Sequence, residues 1–141
     1  LLRIKKKKPI LPFIKEKPKT PAHLVALKAL EALRLKKLWQ QGEYKHYYSE
    51  LTDILRQYLE NRWNIQAMEM VSNEIIDALN KQNTEQELIQ KIQYTLSHAD
   101  SVKFAKGQPV SDENQLSFDN VVYFVQETKL IEESKENTKE K

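Results

Sequence analysis

The side chains that could carry chemistry in this chain are three histidines, a scatter of carboxylates, and a group of aromatic rings set among cations. His23, His46 and His98 lie far apart in sequence, and none belongs to an HExxH motif or to a close metal-ligand spacing. His46 and Glu50 stand one helical turn apart, a pairing that many surface helices show by chance. Glu60, Glu69 and Glu74 are the carboxylates to weigh as acid–base groups. Each has a structural part to play instead, beside Arg56 or Arg62 or as compensation for a helix dipole. Cysteine is absent, which removes thiolate metal sites and thiol nucleophiles together and fits a reducing compartment. Gly42 and Gly107 are the two glycines of 141 residues, too few for a phosphate-cradling loop. The expectation is a chain with no catalytic residue, no metal and no cofactor, and attention turns to binding.

Trp39, Tyr44, Tyr47, Tyr48, Tyr58 and Trp63 are interleaved with Lys36, Lys37, Lys45, Arg56 and Arg62. Such rings either fill a helical core with their hydroxyls at its rim or form a stacking or partner surface. Tyr44 and Tyr48 sit off the line of Leu51, Leu55 and Tyr58, so these two are expected to be exposed. Lys103-Phe104-Ala105-Lys106 reads either as a docking element or as an anchored Phe between solvated lysines. The candidate partner surface is therefore Trp39, Tyr44, Tyr48, Lys103 and Lys106.

Charge divides the chain at about Thr20. Residues 1–20 carry eight basic side chains against Glu16, a net of +7, which leaves the rest four charges negative in a chain of net +3. A basic arm on an acidic domain suggests tethering, where a uniformly basic domain would have suggested nucleic acid. Arg3 and the run Lys5, Lys6, Lys7 and Lys8 follow an apolar start, Leu1-Leu2, that has no initiator Met. They are expected to lie on a membrane surface at the cytoplasmic end of a span that precedes them. A solubilising arm or a phosphate contact are the other readings of the same lysines.

The elements that must position these groups are helical. Pro9, Pro12, Pro18 and Pro21 make residues 1–20 a proline-containing spacer. Thr20-Pro21 predicts a hydroxyl cap with proline at the first helical position, opening a helix that runs to about Gln41 and stops at Gly42. Leu24, Leu27, Leu35 and Leu38 share one face of it, with Leu30 and Leu33 well round the cylinder. A helix apolar over so much of its circumference is central or covered by a partner. Tyr47, Leu51, Ile54, Leu55, Tyr58 and Leu59 mark a second helix over 43–64, forming an antiparallel hairpin with the first. A connecting segment follows. Ser72 caps a third helix with Glu74 in its first turn, and Thr84 to Glu87 reads as the capping box of a fourth. That helix is lined by Leu88, Ile92, Leu96 and Ala99, continues through Val102 and Phe104, and stops at Gly107 and Pro109. A fifth begins between Ser111 and Ser117 and presents Phe118, Val121, Val122, Phe124 and Val125. The prediction is an all-α fold: a basic tether over 1–20, one compact domain of about five helices over 21–133, and a charged tail over 134–141.

Several of these residues carry a family likeness. Pro21-Ala22-His23 with Ala26-Leu27, the turn Leu38-Trp39-Gln40-Gln41-Gly42, Tyr47-Tyr48 with Leu51-Thr52, and Leu55 through Trp63 form its first part. Ala67-Met68-Glu69-Met70 leading to Ser72 and Glu74, Asp100, Lys103 through Lys106, and Phe124-Val125 with Glu127-Thr128 complete it. Over most of 21–128 the chain resembles the C-terminal domain of Bacteroidetes membrane proteins associated with the Bat aerotolerance gene cluster. Ser72 and Trp63 stand where that pattern usually has Thr and Phe. The resemblance implies one membrane span, a basic juxtamembrane stretch and a helical domain on the cytoplasmic side of the inner membrane. It also implies, by association alone, a MoxR-type AAA+ ATPase or a von Willebrand factor A-domain protein as partner. The expected function is non-enzymatic scaffolding at the membrane. Nucleic-acid binding is the alternative, disfavoured by the negative domain, and a homodimer through the first helix stays open.

Overall fold

The computed structural model describes residues 20–105 and 111–129. Five helices are present among them: α1 (Ala22–Lys36), α2 (Tyr44–Trp63), α3 (Ser72–Lys81), α4 (Gln86–Ala105) and α5 (Ser111–Thr128). Two short 3-10 turns, Trp39–Gln41 and Ala67–Glu69, complete the regular structure, and no strand occurs among the described residues. The domain is all-α, as the residue pattern predicts. The basic arm, Lys106, Gly107, Pro109 and the charged tail lie outside the described residues.

The helices α1, α2, α4 and α5 form a four-helix bundle in which neighbours run antiparallel, with α3 packed along α4. The hydrogen bonds fix these directions. At one end of α2 the Tyr48 hydroxyl donates to Asn114 Oδ1 (2.8 Å), and at the other Arg62 Nε donates to the Thr128 carbonyl (2.6 Å). Thus α2 and α5 are parallel, across the diagonal of the bundle. Asn120 Nδ2 reaches Thr95 Oγ1 (3.1 Å) to join α5 to α4. Leu51, Leu55, Leu59, Ile75, Leu79, Ile92, Val121, Phe124 and Val125 are fully buried between the layers. Each large side chain so buried contributes roughly 1.5–3 kcal/mol of transfer free energy.

The first helix differs from expectation in its cap and its length, and the structure chooses its buried face. Pro21 has φ −57° and ψ 149°, so it precedes the helix as its N-cap, and no side-chain cap is made there. The helix stops at Lys36 because Lys37 adopts the left-handed conformation (φ 52°). The turn closes with Gly42 at φ 86° and the Glu43 amide donating to the Leu38 carbonyl (2.8 Å). Ala26, Leu30 and Leu33 face the core, whereas Leu24 and Leu35 are 48% and 62% exposed. Of the four leucines that share the first face, these two are exposed, while Leu27 is partly buried against the core and Leu38 is buried. Lys28 and Glu31 explain the choice, since they lie between Leu24 and Leu35 on one side of the helix and would have been buried with them. The opposite side carries no charge from Ala26 to Leu33.

Other caps shift by one residue. Val71 is the N-cap of α3, and its amide donates to Glu74 Oε1 (3.0 Å), while Ser72 turns away and donates to Asp100 Oδ2 (2.7 Å) on α4. A valine has no acceptor to offer in return, so only half of a capping box forms. The Thr84 hydroxyl is buried without a hydrogen-bond partner among the described residues, which removes it as the cap of α4. The stripe of α4 holds through Val102 and then ends. Phe104 is 81% exposed, neither continuing the core line nor anchored between its lysines.

Candidate functional site

Of the residues expected to form a partner surface, Tyr48 is buried, Trp39, Tyr44 and Lys103 are partly buried, and Lys106 lies outside the described residues. Tyr48 is 0% exposed, the reverse of the expectation. Its ring packs edge-on against Tyr47 and against His98 (centroids 5.0 and 5.6 Å apart), and its hydroxyl is spent on Asn114. Burial pushes its pKa up to about 12, and the Tyr47 hydroxyl is raised for the same first reason. Tyr47 donates to the Asn114 carbonyl (2.9 Å), so one asparagine holds both rings. Trp39 and Tyr44 are partly buried and pack on the core at the α1–α2 turn. Lys103 is partly buried near the end of α4.

The titratable groups hold helices together. Lys36 Nζ donates to both oxygens of Glu50 (2.8 and 3.1 Å), with His46 on the same carboxylate. The Lys36 bond is the main reason the Glu50 carboxyl sits below the usual carboxylate range. Lys36 and Glu50 thus link the end of α1 to the start of α2, and His46 joins the same carboxylate from one turn earlier in α2. Glu60 accepts the Met68 amide (2.9 Å) rather than pairing with an arginine. Arg62 lies 4.6 Å over the Trp63 ring while it donates to Thr128. His98 stacks on Tyr94 with its Nε2 3.2 Å from Glu113 Oε1. Among the described residues no three His, Asp or Glu side chains gather to hold a metal ion. Nor is any described helix long and apolar enough to cross a membrane.

Among the described residues, a groove between α1 and α2 is shaped to receive another molecule. Ala22, Val25, Ala26 and Ala29 form one wall, and Ile54, Tyr58 and Met68 supply the apolar remainder. Asp53, Gln57 and Asn61 make a polar rim at four-residue spacing along α2. The volume is about 220 Å³. Alanines at 22, 26 and 29 cause the groove, because they share one side of α1 and present only a methyl group each. Sequence reasoning missed this site by following the leucines; the spacing of the alanines was the signal. A broader depression of about 410 Å³ beside α3 is lined by Glu69, Glu74, Asp77 and Lys81. There Glu74 is already committed to the Val71 amide.

The groove can take up one or two apolar side chains and offer Asp53 to a cation at its edge. No protein-family model matches the chain, and no curated protein or solved structure matches it either.

Proposed function

We propose that this chain is a non-enzymatic interaction domain, held at the cytoplasmic face of a membrane by its basic arm, whose α1–α2 groove receives a segment of a protein partner. The groove carries the reading: it is an open cleft lined mostly by apolar side chains, with a polar rim along α2. Its 220 Å³ falls below the roughly 300–1,000 Å³ of small-molecule pockets, and suits the anchor residues of a helix or extended segment. Lysines near an anionic surface contribute about 1 kcal/mol each, so Arg3 and Lys5 to Lys8 suffice to place the domain. The family resemblance supplies the partner class, a MoxR-type ATPase or an A-domain protein.

The test is a binding titration of the full chain with those two partner classes, with and without nucleotide. Ala29→Leu fills the groove without touching the core line. It is expected to weaken binding by tenfold or more, on the order of 1.4 kcal/mol, with the thermal midpoint unchanged or raised. Unaltered binding would exclude the groove, and no binding by either class would exclude these partners. The same chain titrated with duplex DNA and with anionic vesicles separates the nucleic-acid alternative, which the negative charge of residues 21–141 opposes.

A further inference from the structure

The outward face of α1 has an order of its own. Leu24, Lys28, Glu31 and Leu35 are spaced four, three and four residues apart and all four are exposed. They therefore form a single seam, on the side opposite Ala26, Leu30 and Leu33. That spacing is about three turns of a coiled-coil seam with its hydrophobic ends intact and a charge pair at its centre. The seam is also palindromic in chemistry: leucine, cation, anion, leucine.

We infer that this face pairs with the same face of a second copy, α1 against α1 in antiparallel register about a two-fold axis lying midway between Lys28 and Glu31. In that register each position meets the one that brings the two numbers to 59. Leu24 packs on the partner copy's Leu35, and Lys28 faces the partner copy's Glu31, each contact occurring twice by symmetry. Val25 and Ala32, both exposed, flank the seam with apolar contact. A parallel pair would instead set lysine on lysine and glutamate on glutamate, so the charges specify direction as well as partner. In the monomer Glu31 already holds Arg34 in a two-point ion pair, with Nε 2.9 Å from Oε1. The Glu31 side chain is exposed and each of its oxygens keeps a further lone pair, so the carboxylate can accept from the partner copy's Lys28 as well.

The seam is about 16 Å long, so it buries much less than the roughly 1,200 Å² of a stable complex. The dimer is accordingly weak and reversible. Two copies confined to one surface would meet far more often than two in solution.

Sedimentation equilibrium of the full chain, from micromolar to millimolar, tests this. A reversible dimer is expected, abolished by Leu35→Glu and unchanged by Leu116→Glu, a control on the exposed part of α5. Lys28→Glu and Glu31→Lys should each weaken association by roughly tenfold, and the double reversal should restore it. The chain has no cysteine, which permits a direct check of register. A mixture of the Leu24→Cys and Leu35→Cys variants should cross-link faster than either alone. All positions are exposed, and circular dichroism verifies that each variant is folded. A monomer throughout the range, a dimer indifferent to Leu35→Glu, or a double reversal that fails to restore association would each overturn the inference.

Discussion

Asn114 decides the fate of two tyrosines. Its Oδ1 and carbonyl accept from Tyr48 and Tyr47, and this converts rings set among lysines and histidines into struts across the bundle. Tyr48→Phe should cost about 1–3 kcal/mol in urea unfolding, because a buried acceptor loses its donor. It should leave partner binding unchanged, which a surface ring would not. The same burial sets an alkaline limit. The Tyr48 pKa is raised in the folded state, so its contribution is complete below the ordinary tyrosine value of 10 and is lost as pH rises toward about 12. Thermal midpoints measured across that window should fall, and tyrosinate absorbance should show a step that coincides with unfolding. Glu50 works in the opposite direction: its lowered pKa means that stability is present above the ordinary carboxylate value of 4.5 and fades as pH falls below it. Glu50→Gln should flatten that acid limb. None of this was legible at the residues concerned. Tyr48 and Asn114 are 66 positions apart, and no local periodicity links a hydroxyl to an amide at that distance.

Helices were easier to read than their faces. The leucine, isoleucine and tyrosine spacing placed α2 within a residue of its bounds, and the Leu88–Ile92–Leu96–Ala99 line is buried as expected. In α1 apolar residues occupy both sides, so periodicity alone could not choose between them. Charge could have chosen, since Lys28 and Glu31 mark the solvent side. The groove was hidden for a related reason: alanine is a weak hydrophobic signal, yet its smallness is what leaves space beside α2. Capping signals found the right ends but the wrong residues. Ser72, expected to serve its own helix, instead tethers α3 to Asp100 on α4. Ser72→Ala should therefore cost about 1–2 kcal/mol and raise amide exchange across all of α3, whereas loss of a simple cap would loosen only its first turn.

At the scale of the whole molecule, residues 21–141, with a net charge of −4, follow an arm of +7, and the proposed function rests on that separation of charge. Replacing Lys5 to Lys8 by glutamine in the full chain should remove binding to anionic vesicles while leaving circular dichroism and thermal unfolding as they were. The residual binding of the unmodified chain should decline with salt. The bundle itself imposes an order on its own assembly. The bonds that Tyr47, Tyr48, Tyr58 and Arg62 of α2 make to α5 join residues 66 to 70 positions apart, so these hydroxyls find their partners on α5 only once it has been made. Closing so long a loop comes after the local hairpin in any sequence of events governed by chain entropy. During synthesis the first four helices must then wait, incompletely paired, until Thr128 has cleared the ribosome. α5, made after the four helices it closes, is thus the latch of the domain, and a ribosome that stalls short of it leaves a nascent chain in need of a chaperone.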